Sequence, residues 1–454
     1  MSTMTQQPAI PLYEEVVNGY HKLSASGGTK RESSDLRKAR QTAFEKFREQ
    51  GFPTIRNEDW KFTNITRFLK EEFTIEGLDA AIEGVPAPVV VADPVLVEKA
   101  VVPSLDCYQV VLVNGVWDGT IAGGSLPAGV ELMTVAAARQ DPALSAFFER
   151  SAEYGNHHFA ALNAALFSDG LFLRVDAGVT ADRPLHFIHT YSTSQNLLVQ
   201  PRHVWVINRN AEISVIESVV SGGQGKIWVN GLTEIVVHTD ARLSHTMIQT
   251  ASAGVRLVQH TTVRQRKQSL YNNFTFTLPG AELVRNDLHA RLEESHTESH
   301  LYGLYLTAGQ QLVDNHTLVD HQKPNCQSNE LYKGVLLEQS TGVFNGKVFV
   351  HKDAQKTNAF QQNNNLVISN KATIDSKPQL EIFADDVKCS HGSTVGQFSE
   401  DSLFYLRARG IGEETAKALM INAFAFDVTE KIKIPEVEVH INELISYHIP
   451  SAHA

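Results

Sequence analysis

Residues 378–412, PQLEIFADDVKCSHGSTVGQFSEDSLFYLRARGIG, carry the change of period on which the fold turns. Before them the chain is extended and rich in turns; after them it becomes helical, with Ser399 or Asp401 capping a helix over SLFYLRAR that Gly410 closes. In an extended strand, side chains alternate between faces, so Cys389 and His391 point the same way. A thiolate and an imidazole aimed at one spot suit a soft transition metal such as iron, zinc or copper(I). Two ligands do not close a site that usually wants about four. No CxxC and no second Cys/His pair lies nearby in sequence, so the missing ligands come from a partner, a fold neighbour or a carried species. If the segment is fully extended, Asp385 shares the same face and offers a hard oxygen to entering iron. The competing reading makes Cys389 a small buried hydrophobe and leaves His391, next to Gly392, merely ending a strand.

Upstream, from about 170 to 390, the hydrophobic period is two. Short strands recur as LHFIHTY, HVWVINR, EISVIES, GLTEIVVHT, HLYGLYLT, KGVLLEQ and GKVFVHK. A turn motif repeats as Asn210-Ala211, Asp240-Ala241, Gly280-Ala281 and Lys371-Ala372, each followed by one residue and an apolar step. Self-similar strand-turn units at a period of roughly 20–40 residues indicate a β-solenoid, and the polar run 361–365 fits stacked turns; a large antiparallel sandwich is the alternative. A naked terminal rung of a solenoid invites pairing with another chain unless helices cover it.

The flanks read as helical. The first 30 or so residues suggest a loosely held arm ending in SASGGTK. Ser33 or Ser34 then caps a helix with Leu36, Ala39, Ala43, Phe44 and Phe47 on one face, stopped by Gly51 and Pro53, and Trp60 reads as a core anchor. Residues 84–105 read as extended, Asn114-Gly115 as a hairpin turn, and Asp141-Pro142 as the start of a helix over 143–152. His157 and His158, adjacent in a further helix, point apart and suit solvated or capping roles. In the tail, helices run from Glu413 and from Pro435.

Composition excludes several classes. Forty basic against 51 acidic residues, net −11, argue against nucleic acid or anionic membrane as a partner, and no apolar run approaches the ~20 residues of a membrane span. Three scattered cysteines, Cys107, Cys326 and Cys389, make no disulfide framework, and the first residues lack a targeting pattern, so a cytoplasmic location is expected. There is no GxxxxGK[ST], GxGxxG or GxSxG motif, so no nucleotide is expected on this chain. The HTESH run at 296–300 has the wrong order for an HExxH zinc site, and His321 and Cys326 fit structural hydrogen bonds better than a relay.

The run LEIFADDVKCSHGSTVGQ followed by LFYLRARGI, with RNEDWKFTNITRF at 56–68, LVDH at 318–321, VFNGKVFV at 343–350 and NAFQQNNNLVIS at 358–369, resembles the SufD branch of the SufB/SufD family of iron–sulfur cluster assembly proteins. The resemblance covers most of the chain. It implies a mainly β protein: an N-terminal helical domain with extended segments (1–155), a right-handed parallel β-helix (156–395) and a C-terminal helical domain (396–454). It implies a non-catalytic scaffold that pairs with a SufB-like subunit, docks a SufC-like ATPase through the C-terminal helices, and contributes to iron entry and a transient iron–sulfur cluster at the subunit interface. His391 carries over as a residue facing the partner, with Cys389 as the neighbouring ligand candidate. For the chain alone, a homodimer is the other pairing a bare rung permits. The rival functions are a β-helix carbohydrate-active enzyme, disfavoured by free thiols, and a purely structural solenoid in which Cys389 is inert.

Overall fold

The computed structural model describes residues 10–26, 32–83, 91–141, 144, 148 and 157–449. Two sheets of mostly parallel strands face each other, and from Arg202 onward each strand pairs with the next but one in sequence. Glu298–Thr307, Gln327–Leu336, Asn358–Val367 and Lys388–Gly396 follow one another in one sheet; Leu283–Leu292, Leu312–His321, Thr341–Val350 and Thr373–Ile382 do so in the other. The chain therefore winds as a parallel β-solenoid, and the antiparallel sandwich does not form. Antiparallel strand pairing among the described residues is confined to the start, at the Asn114-Gly115 hairpin and between Val130–Thr134 and Leu171–Val175. Four strands that precede residue 156, Thr74–Ile75, Tyr108–Val113, Val116–Trp117 and Val130–Thr134, add to the two sheets.

One corner sets the rung length. Asn210, Asp240, Gln268, His296, Asn325 and Lys356 all adopt φ of 57–64° and recur 28–31 residues apart, each just after a strand of the same sheet. The left-handed region is costly for a side chain with Cβ and least so for Asn and Asp. The turn motif read from sequence mixes two corners: Asn210-Ala211 and Asp240-Ala241 lie at this one, Gly280-Ala281 and Lys371-Ala372 at the opposite one.

Three apolar masses hold the molecule. Inward residues of both sheets, among them Trp205, Val263, Leu288, Val319 and Phe344, fill the lumen. On the outer face of one sheet, Phe47, Phe52, Trp60 and Phe159 pack on Trp228, Leu232 and Val258, so the N-terminal helices cover it. On the other sheet, Ile421, Val428, Ile441 and Ile445 of the tail pack on Phe274, Leu304 and Val335. Both outer faces are thus buried over much of their length, which hides the polar-out half of the strand pattern.

Several expectations are corrected. The supposed N-terminal arm contains a helix, Pro11–Ala25, because Pro11 presets its first turn and Leu12, Val16, Tyr20 and Leu23 make a continuous buried stripe. Within 84–105, Asp93 accepts a hydrogen bond from the Val95 amide at 2.9 Å and starts a helix, Pro94–Ala100. His158 is not solvated but buried, with Nδ1 2.8 Å from the Gly51 carbonyl; His157 is part-buried at the N-cap position of the helix His158–Leu166, without a side-chain cap bond, and its ring lies 4.5 Å from that of His260. The helix expected over 143–152 falls almost wholly outside the described residues. Ser33 does cap Ser34–Gln50, accepting from the Leu36 amide at 3.0 Å. Among the described residues no helix is long and apolar enough to cross a membrane.

Candidate functional site

The solenoid ends in two strands, Thr373–Ile382 and Lys388–Gly396, each the last of its sheet. In register, Cys389 lies beside Ala359, His391 beside Gln361 and Ser393 beside Asn363. Those three neighbours are buried in the lumen, and parallel partners in register share a face, so Cys389, His391 and Ser393 line the lumen mouth. A bond across the mouth agrees: Ser393 Oγ lies 2.8 Å from Ser376 Oγ of the facing strand. The strand geometry thus gives Cys389 and His391 a common face. Asp385 does not join them, because it sits in a bend before the strand begins at Lys388.

The two residues have different surroundings. Cys389 is half-buried against a small apolar cluster of Val348, Val350, Ala354, Ala359 and Ala384. Burial pushes its thiol up, against a smaller opposite pull from the Ala359 backbone. The proton on that thiol leaves when a metal takes its place. His391 is exposed at the mouth.

One rung further in, Gln361, read from sequence only as part of a polar run, pairs with Glu330, which the sequence reading passed over. Gln361 Nε2 donates to Glu330 Oε2 at 2.7 Å, and Thr317 Oγ1 donates to Glu330 Oε1. Glu330 is fully enclosed; burial pushes its carboxyl up to about 7, with the two hydrogen bonds pulling the other way. Glu330, Gln361 and His391 stand in one ladder column, on three successive strands of one sheet. The available signal was an acid at an inward position of a period-two strand: Ser328, Glu330 and Tyr332 are the buried alternates of QSNELYKGVL.

The remaining sequence candidates do not converge on the mouth. His321 is buried, shares a 2.9 Å hydrogen bond with Ser328 Oγ and is pushed down to about 3 by burial. Cys326 accepts from Thr297 Oγ1 at 3.1 Å and donates to the Glu294 carbonyl at 3.3 Å, a structural thiol. His296 sits at a corner and His300 lies 3.7 Å from Glu298. Among the described residues no group of three or more His, Cys, Asp or Glu is placed to hold a metal ion.

Two further networks are structural. Glu217, enclosed in the lumen, receives His189 Nε2 at 2.8 Å and His245 Nε2 at 2.7 Å; burial alone would raise its carboxyl, but these bonds hold it well below the usual range. On the outer face Arg285 stacks 3.9 Å over Trp60, donates to the Asp59 carbonyl at 2.9 Å and pairs with Asp287 at 2.9 Å and Asp314 at 2.5 Å. That clamp is what the run RNEDWKFTNITRF builds: it fixes the N-terminal part to the solenoid. At the other end, helix Glu400–Ala408 has no buried residue, and Phe404 and Tyr405 are 75 % and 56 % exposed.

The sequence of this two-sheet solenoid matches two domains of one protein family. The SufBD core domain of the SUF system for FeS cluster assembly matches residues 189–424, over half of the chain, and the SufBD N-terminal region matches residues 19–187. The chain belongs to the SufBD family. It is 31 % identical over 427 residues to an iron–sulfur cluster assembly SufBD family protein of Synechocystis, covering 91 % of each chain. It is 27 % identical over 444 residues to the iron–sulfur cluster assembly protein SufD of Escherichia coli, covering 97 % of this chain and 98 % of that one. With SufD of Bacillus subtilis it shares 24 % over 317 residues, 69 % of this chain and 72 % of the other. As a SufBD protein it is an iron–sulfur cluster assembly component of the Suf system.

Proposed function

We propose that the chain is a non-catalytic, cytoplasmic scaffold subunit that joins a homologous SufB-like solenoid at its open end and a SufC-like ATPase at its C-terminal helices. Iron and sulfide are its cargo, gathered into a nascent cluster where Cys389 and His391 meet the partner. The observation that carries this reading is the lumen mouth itself: a thiol and an imidazole on one face of a terminal strand. Among the described residues no further strand pairs beyond that rung in either sheet, and Phe383 and Val395 nearby are 59 % and 58 % exposed. A second solenoid meeting these edges would continue the ladders, bury the apolar residues and complete the ligand set. The bare face of Glu400–Ala408 supports docking of the ATPase, whose movement would strain the paired solenoids and open the mouth to iron and sulfide.

The test is co-expression with the two candidate partners, followed by anaerobic reconstitution with iron and sulfide and an absorption spectrum. The wild-type complex is expected to show a cluster spectrum that His391→Ala removes without loss of the complex. A normal cluster yield in His391→Ala refutes the reading.

A further inference from the structure

We propose that Gln361 supplies a third side-chain ligand, a neutral amide oxygen, to ferrous ion held at His391, and that Glu330 is the positioning residue that aims it. The inference rests on the reading of the lumen mouth as the iron-entry site, and it says what that site uses from this chain beyond the thiol and imidazole.

Four observations carry it. First, Gln361 is the in-register neighbour of His391 on the same face, one strand spacing or about 4.8 Å inward. Second, the Gln361 side chain is 1 % exposed and its amide has a defined orientation: Nε2 donates to Glu330 Oε2 at 2.7 Å, on the strand that precedes it. The two arms of a planar amide diverge, so with Nε2 turned toward Glu330 the oxygen is turned away from it. Third, Oε1 is buried with no hydrogen-bond partner among the described residues. A buried acceptor without a donor is costly and rare in folded proteins, and it asks for an occupant. Fourth, the facing strand is kept clear for the amide: a Cβ at Gly346 would lie 2.5 Å from Gln361 Nε2.

The chemistry suits ferrous ion, which accepts imidazole nitrogen, thiolate sulfur and carbonyl oxygen together. Asp385 lies off the strand, so the hard oxygen falls to Gln361. Glu330 acts from one step behind: with Thr317 on one oxygen and Gln361 on the other, it fixes the amide so that Oε1 rather than Nε2 meets the cation. Ligands held this way typically lose 10- to 100-fold in metal affinity when the supporting group is removed.

The experiment is an anaerobic calorimetric titration of the assembled complex with ferrous ion alone. His391→Ala should abolish binding. Gln361→Leu, close in volume, should weaken it at least tenfold. Gln361→Glu, which restores an oxygen, should bind within threefold of wild type or tighter, and Glu330→Leu should weaken binding about tenfold. Should the leucine variant not fold, Gln361→Asn gives the same reading, because it keeps the amide and withdraws it by one methylene. Unchanged binding in His391→Ala, or no uptake by the wild-type complex, overturns the iron-entry site and this inference with it. Loss in His391→Ala with wild-type affinity in Gln361→Leu overturns this inference alone, as do equal losses in Gln361→Leu and Gln361→Glu, which would mark Gln361 as packing.

Discussion

Glu330→Gln should make the solenoid more stable at alkaline pH, by a margin that narrows as the pH falls toward 4.5. Burial pushes the Glu330 carboxyl from 4.5 to about 7. Each tenfold change in proton affinity corresponds to about 1.4 kcal/mol, so the folded state holds this proton with an advantage of about 3 kcal/mol. The sign follows from which state keeps the proton longer. Here the folded state does, so the stability tied to this group is fully present below pH 4.5, declines as pH rises, and is gone above about 7. Glutamine is neutral throughout; its carbonyl accepts from Gln361 and its amide donates to the Thr317 hydroxyl, so both hydrogen bonds survive. Urea denaturation followed by circular dichroism, on wild type and variant at pH 5 and pH 8, measures the difference. At pH 8 the variant should be more stable by about 3 kcal/mol, and at pH 5 the gap should shrink to about 1 kcal/mol. A variant less stable at pH 8, or a gap that does not change with pH, would refute the reasoning.

Gly346→Ala should destabilise by about 1–3 kcal/mol in the same assay, since its Cβ meets Gln361 Nε2 at 2.5 Å and Phe344 Cζ at 2.6 Å in a filled lumen. Glu217→Gln should cost about 3 kcal/mol at pH 7, because the carboxylate that grips His189 and His245 is lost. Glu217 is held below the usual carboxylate range, so its stabilisation is present above that range and lost as pH falls; the gap between wild type and variant should therefore close in acid. Phe404→Asp combined with Tyr405→Asp should abolish co-purification of the ATPase while shifting stability by no more than about 0.5 kcal/mol, as both side chains face solvent.

The period-two runs between 170 and 390 and the return of turn signals along them were enough to specify stacked strands, and Ser33, Ser399 and Pro435 marked helix starts without help from tertiary structure. Local rules suffice there because alternation and capping act within a few residues. The stripe Leu12, Val16, Tyr20, Leu23 was equally present in the sequence but was masked by the Gly-rich segment after it. The common face of Cys389 and His391 followed from strand geometry alone. What lies behind them did not: Glu330, Gln361 and His391 are about 30 residues apart, and they share a column only because each rung takes 28–31 residues to return. Asp385 failed for the converse reason, since a bend at the solenoid corner takes it off the strand that its spacing suggested. Sequence decided which residues face inward along each strand; the winding of the chain decided which of them meet, because the contacts that build the lumen mouth run between rungs and not along them.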